Sequence, residues 1–412
     1  MATTKSTNSL PLCDIKVIEL AHLISGPLCG QMLADEGAEV IKVEPPGGEL
    51  TRHRDPLRHI GSEKIAAYYA SLNRDKKSIV LDLKNQGGSS VVRQLLESAD
   101  VLLTNMRPAA LKRLELDPQT LHAQYPRLIV ACITGFGMEN AGEHADRAGL
   151  AMVAEAMSGA TGITRDHEGN PVWCGFPLGD VMASVATHSA ILLALRDRER
   201  HGMGRIIDLG LVECMLPIVS VAMARSQWQD EAVSDFAGSN YHGVPCGTFP
   251  ASDGYVTIGV NRDDFWRQLC IAMDRPELGT DPRYATYVQR ARRQREVHDI
   301  TAAFTRNHTR AEITERLIAA DVPVGNIQNM DEVIEDAYLT GRGMLQQVDD
   351  GFGGLFTLPA NPAWPARPAH QPRIPRLNEH REQVLDSLGV TRDQIETLLH
   401  TGAFGPTAAE PV

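Results

Sequence analysis

The stretch "IKVIELAHLISGPLCGQMLADEGAEVIKVE" (residues 15–44) decides the fold. An apolar run is followed by a loop, a short helical segment with Pro27 near its start, and a second apolar run ending at Glu44. That is the length and order of a βαβ unit. The same rhythm continues outward. "SIVLDLK" (78–84) reads as a strand, "GGSSVVRQLLESAD" as a helix and "VLLTN" (101–105) as a strand. "PAALKRLEL" starts another helix, with Pro108 suited to its first turn. "RLIVACIT" (127–134) is a further strand, 147–159 a helix, and "RIIDLGL" (205–211) a strand running into "VECMLPIVSVAMARSQ". Alternating, continuously apolar strands predict a parallel sheet covered by helices on both faces.

Beyond about residue 225 the texture changes. "YHGVPCGTFPASDGYVTIGV" carries hairpin and turn signals between short strands. Helices are expected at 263–273, 288–306 and 309–320, the last opened by Thr309 as N-cap. The reading is therefore α/β. A large Rossmann-like domain (1–225) precedes a smaller α+β domain (226–330), and 331–412 forms a linker and a return to the large domain. Within that last part, "LPANPAWPARPAHQPRIPRL" (358–377) is proline-dense and should be an extended crossing.

The composition is that of a globular chain: 412 residues, 43% apolar and 22% charged. Forty basic against fifty-two acidic residues give a net charge of −12, which argues against nucleic acid or an anionic membrane as a bulk partner. The seven cysteines (13, 29, 132, 174, 214, 246, 270) have no CxxC spacing and read as reduced thiols. The start, "MATTKSTNSLPLCD", has no apolar signal core, and a cytoplasmic protein is expected.

A dinucleotide site is not encoded, because Gly26 and Gly30 do not form GxGxxG. Basic residues nonetheless gather at predicted strand ends, where open α/β sheets bind ligands: Lys84, Arg107, then Lys112 and Arg113, with Arg52 and Arg54 in "TRHR". Singly each reads as a solvated surface charge; together they suggest an anion site. "CGFPLGDVMAS" (174–184) places Asp180 at the mouth of a helix that is apolar around nearly its whole circumference until Arg196, and so is expected to be buried. Asp180 reads either as an N-cap or as a desolvated carboxylate poised to attack an acyl carbon, with Gly179 permitting close approach of a substrate. No metal-ligand spacing and no GxSxG elbow accompany it. His188, inside the helix, reads as a satisfied core residue.

Five stretches carry a resemblance: "SGPLCGQMLADEGAEVIKVEPPGG" (25–48), "LNRDKKSIVLDLK" (72–84), "ADVLLTNMRPAALKRL" (99–114), the run from Leu178 to Glu213, and "NEHREQVLDSLGV" (378–390). With "DGYVTIGV" (253–260) and residues 320–344 they cover essentially the whole chain, which resembles the class III CoA-transferases of the CaiB/BaiF family. The resemblance implies an interlocked, ring-like homodimer, coenzyme A as substrate and carrier, and no metal or redox cofactor. It implies that Asp180 is the catalytic aspartate, forming an acyl anhydride and then a CoA thioester. Expected CoA contacts are His22, Ile24, Ser25, Leu81, Asp82, Leu83, Lys84, Asn105, Met106, Arg107, Arg113 and Arg147.

The chain also departs from the family pattern. Pro45 stands where an arginine contacts the nucleotide, and Gly149-Leu150-Ala151 stands where racemases carry a histidine–aspartate pair. A glycine-rich active-site loop has no counterpart near 240–260, and Ser184 replaces a usual glycine, a change expected to be mild. The expected activity is CoA transfer from an acyl-CoA to a small free acid. Arg52, His53 and Arg54 are placed to receive a second carboxylate if that acid is dicarboxylic. The rivals are an α-methylacyl-CoA racemase and a non-catalytic CoA-binding subunit.

Overall fold

The computed structural model describes residues 10–61, 63–166, 168–228, 243–363 and 370–405. Six strands form one wholly parallel sheet: β1 (Lys16–Leu20), β2 (Glu39–Glu44), β3 (Lys77–Val80), β4 (Val101–Thr104), β5 (Ile129–Thr134) and β6 (Ile206–Gly210). Their spatial order is β3-β2-β1-β4-β5-β6. The order reverses between β1 and β4, where a parallel sheet opens a crevice at its carboxyl edge. Val17 and Ile18 on β1, Leu102 on β4 and Val130 on β5 are fully buried, as strands covered on both faces require.

Helices α1 (Ser25–Asp35), α2 (Gln86–Glu97), α3 (Pro108–Arg113), α4 (Ala151–Met157) and α5 (Leu178–His201) surround the sheet. The helix expected over 147–159 is shorter at both ends. Pro108 occupies the first turn of α3, where its missing N–H costs nothing. Near the C-terminus, Val384 and Leu385 pack into the same apolar cluster as Leu95 and Leu102.

α5 departs from expectation. One face, with Ala183, Thr187, Ile191 and Ala194, is buried, and the helix packs on α1, α4, β5 and β6. Val185 and Leu193, however, are 44% and 70% exposed. By length and composition α5 passes for a membrane span. Its Arg198, paired with Asp100 at 2.8 Å, marks it as a helix laid on the sheet. It ends at Gly202, whose φ of 79° is the left-handed cap that glycine adopts without strain.

Two compact units divide the chain: 1–157, 177–215 and 336–412 form the first, and 158–176 with 216–335 the second. The second thus takes in 158–176 and 216–225, which the sequence reading assigned to the large domain. It holds an antiparallel sheet in which Gly254–Gly259 lies between Cys246–Ala251 and Val324–Asn326. Trp266, Phe249, Ile258 and Leu317 fill its core. Thr309 opens Arg310–Ala319 with a full capping box, as the Thr-x-x-Glu spacing requires. Of the proline-dense segment, 364–369 lie outside the described residues.

Candidate active site

A cleft of about 470 Å³ lies in the first unit, within the range of small-molecule sites. Its lining includes the loop before α1 (His22, Leu23, Ser25), the end of β4 (Asn105, Met106, Arg107), Arg113 of α3, Arg147, and Asp180 of α5. The βα turn of the opening stretch thus meets the acid that begins α5. Ile24 sits between two lining residues but is not itself one. Leu81, Asp82, Leu83 and Lys84 follow β3 and lie outside the lining; Leu81 is buried and Lys84 exposed. A larger, shallower depression in the second unit, bordered by Arg275, Arg292 and Arg293, contains none of the expected residues.

Asp180 is half-buried in the first turn of α5, but it does not cap the helix. The N-cap is Pro177, which makes no side-chain cap bond. The Gly179 N–H instead donates to Glu155 Oε1 of α4 at 3.1 Å. The capping expectation for Asp180 fails because the helix starts three residues earlier than that role requires. Gly179 also differs from its expected use. A methyl group there would fall 3.1 Å from the Ala151 backbone, so its bare face admits α4.

The Asp180 carboxylate is instead held by a hydrogen bond from Ser25, whose hydroxyl in turn accepts from Asn105 Nδ2 at 3.3 Å. Asn105 clamps the loop further: its Oδ1 accepts from His22 N at 3.0 Å and its Nδ2 donates to His22 O at 2.7 Å. Burial, with the Glu155 charge nearby, pushes Asp180 up to about 6 despite the Ser25 bond. The group is therefore mostly ionised at pH 7 yet poorly solvated, the state that makes a carboxylate a usable nucleophile.

The loop is built under strain. Leu23 has φ 64°, a left-handed conformation unfavourable for a branched side chain. Its N–H is pinned by buried Glu49 Oε2 at 3.0 Å. Glu49 belongs to a buried charge network. Lys42 Nζ lies 2.8 Å from Glu19 and 3.6 Å from Glu49, and Lys76 Nζ lies 2.8 Å from Glu19. Lys42 also donates to Ala21 O, and Lys76 to Pro27 O, the two flanks of the loop. Gly30 makes room for this: a methyl group there would fall 2.0 Å from Glu19 Oε2.

Arg52 is withdrawn from the expected acceptor set. Its guanidinium pairs with Glu44 at 2.7 Å and donates to Tyr69 Oη at 2.6 Å. This also accounts for Glu44, the acid at the end of β2, which accepts from Ser78 as well. His53 Nε2 contacts the Gly47 carbonyl at 2.9 Å, while Arg54 is exposed. The Arg54 charge acts on the Tyr68 phenol, as does that of Asp180; burial and Asp180 raise that phenol's pKa and Arg54 opposes them. His188, read as a satisfied core residue, has its Nε2 2.8 Å from Glu36.

Sequence reasoning missed Glu49, Tyr68 and Glu155, and undervalued Ser184. The Ser184 hydroxyl, fully buried, lies 2.8 Å from Ser25 O and 2.7 Å from Asp180 O, and its single proton serves one at a time. Its replacement of a usual glycine was the one visible signal among these four.

Comparison with known proteins places the chain in a family. Residues 12–381 match the family model described as CoA-transferase family III. A succinyl-CoA–D-citramalate CoA-transferase of Chloroflexus aurantiacus is 34% identical over 404 residues, covering 94% of this chain and 96% of that protein. A succinate–glutarate CoA-transferase of Agrobacterium fabrum is 34% identical over 389 residues, covering 92% and 96%. The crystal structure of a CaiB/BaiF family protein from Brucella suis superposes with a TM-score of 0.79 at 32% identity, covering 92% of this chain and all of that one. The chain belongs to CoA-transferase family III and is a CoA-transferase.

Proposed function

We propose that the protein moves CoA from a dicarboxylic acyl-CoA of the succinyl type to a second small dicarboxylic acid, with Asp180 as covalent carrier. The observation that carries this reading is the meeting of a desolvated acid, Asp180, with Arg107, Arg113 and Arg147 in one cleft. A cationic wall suits the phosphates of CoA, and an acid raised to about 6 suits attack on its thioester.

The steps balance without any net redox change. The Asp180 carboxylate attacks the donor thioester carbon, the C–S bond breaks, and an aspartyl–acyl anhydride and CoA thiolate result. The thiolate attacks the aspartyl carbonyl and expels the donor acid, leaving an aspartyl-CoA thioester. The acceptor carboxylate attacks that carbonyl, releasing thiolate and forming a new anhydride. The thiolate then takes the acceptor acyl group, and Asp180 returns as a free carboxylate. Ser25, anchored by Asn105, holds the attacking group, and Arg54 beside Tyr68 receives the acceptor's far carboxylate. The nucleotide end of CoA extends beyond the cleft toward Leu81–Lys84.

The relatives named for citramalate and glutarate support a dicarboxylate pair. The same reading includes an interlocked homodimer in the cytoplasm. The exposed Leu193 and Val185 of α5, with Leu150, Met152 and Met157 near α4, offer the apolar surface that a second copy would cover.

Succinyl-CoA incubated with citramalate, mesaconate, glutarate or malate tests the proposal by chromatography of the CoA products. A new acyl-CoA appearing only with an acceptor acid is expected. Exchange of an α-proton for deuterium with no acceptor, and no transfer to any dicarboxylate, would favour a racemase and overturn it.

A further inference from the structure

The hydroxyl of Ser184 takes no part in the transfer steps, yet it sits between the two residues that begin them. Ser184 follows Asp180 by one turn of α5, is fully buried and lines no part of the cleft. Its Oγ lies 2.8 Å from the main-chain oxygen of Ser25 and 2.7 Å from that of Asp180. The Ser25 hydroxyl, in turn, makes the hydrogen bond to the Asp180 carboxylate. Donor and acceptor of that bond stand on different helices, α1 and α5. Ser25 and Ser184 are 159 residues apart in the chain, so contacts between the helices alone set their spacing. The Ser184 bond to Asp180 O stays within α5, whereas the bond to Ser25 O crosses to α1. A second tie joins the same helices further along, where His188 Nε2 lies 2.8 Å from Glu36, the C-cap of α1.

We propose that Ser184 is a positioning residue for the nucleophile, its hydroxyl joining the start of α1 to the start of α5 so that Ser25 stays in register with the Asp180 carboxylate. This rests on the reading of Asp180 as the covalent carrier. Helix ends fray, and both partners lie in first turns, Ser25 in α1 and Asp180 in α5. A hydrogen bond weakens steeply as its angle opens, and an attacking group held off its line loses much of its advantage. Asn105 fixes the Ser25 side chain from the end of β4, and Ser184 fixes the Ser25 main chain to the helix that carries the nucleophile. Thr187, three residues on, offers a contrast. Its hydroxyl is equally buried but has no hydrogen-bond partner among the described residues.

The test is a cycle in which Ser184→Ala is made in wild type and in Ser25→Ala, with kcat, KM and melting temperature read for each. Ser184→Ala should lower kcat roughly three- to tenfold and leave the KM for acyl-CoA within about twofold. Ser25→Ala should lower kcat further. Adding Ser184→Ala to it should then lower kcat by no more than about twofold, because the bond that Ser184 keeps in register is already gone. Thr187→Val, which also deletes a buried hydroxyl from α5, should keep the wild-type kcat. A wild-type kcat in Ser184→Ala or in Ser25→Ala, losses that multiply in the double variant, or an equal loss in Thr187→Val overturns the proposal. If Ser184→Ala folds poorly, Ser184→Cys, similar in shape and a weaker donor, takes its place in the cycle under the same criteria. Hydroxylamine trapping of the wild-type enzyme with acyl-CoA separates the proposal from its premise. No label on Asp180 fails the carrier reading; a labelled Asp180 with multiplying losses fails the role of Ser184 alone.

Discussion

Two sets of charges in the first unit behave oppositely. Beneath the loop before α1, Glu19, Lys42, Lys76, Glu44 and Glu49 are buried and every one has an opposite charge within 3.6 Å. Burial alone would raise Glu19, yet Lys42 and Lys76 hold it below the ordinary carboxylate range. Lys76 is brought by burial down to about 8 against the pull of Glu19. At the cleft, by contrast, Arg107 and Arg113 have no carboxylate partner among the described residues, and Asp180 is held by a hydrogen bond from Ser25 and not by an opposite charge. Charges that have each other build the strained loop. Charges left over line the cleft.

The largest effect should come from breaking the paired set. Glu19→Gln leaves Lys42 and Lys76 buried without their shared counter-charge, and we expect a loss of about 3–5 kcal/mol in denaturant unfolding, if the variant folds at all. A loss under 1 kcal/mol would show that the network is not structural.

The cleft should respond with the opposite sign. Asp180 has its folded-state value raised from 3.8 to about 6. Its contribution to stability is therefore complete below about pH 4 and lost as pH rises through about 6. Asp180→Asn removes the ionisable group, so the variant should be more stable than wild type at pH 7 by about 3 kcal/mol or less, while losing transfer. The stability gap should close on acidification to pH 4. A destabilised Asn variant at neutral pH would place Asp180 with the paired set.

The smallest effect sharpens the contrast. Arg107→Ala or Arg113→Ala should raise the KM for acyl-CoA roughly tenfold each, with kcat and melting temperature nearly unchanged, as expected for loss of a charge-assisted phosphate contact. A fall in melting temperature without a change in KM would mean that these arginines are structural after all.

Much of this frame is legible in the sequence, for reasons that vary with distance along the chain. Residues 15–44 reveal a βαβ unit because apolar runs and Pro27 are local signals, and the strand-end position of Arg107 follows in the same way from the apolar run at 101–105. Asp180 stands out for being alone at the mouth of an apolar helix. Its environment is not legible. Glu155 meets Gly179 across 24 residues, and Asn105 reaches His22 across 83, so neither pairing leaves a local pattern. Arg52 looks like a substrate ligand beside Arg54 until the fold lays Glu44 against it. The exposed side of α5 misleads for the same reason, since apolar composition alone does not separate a buried face from an exposed one.

The most direct measurement is covalent trapping. Enzyme is mixed with an acyl-CoA, quenched with hydroxylamine, digested and read by peptide mass spectrometry. A hydroxamate confined to Asp180, and absent without acyl-CoA, is the predicted result. Full turnover with no modification there, or with the modification on another side chain, would contradict it.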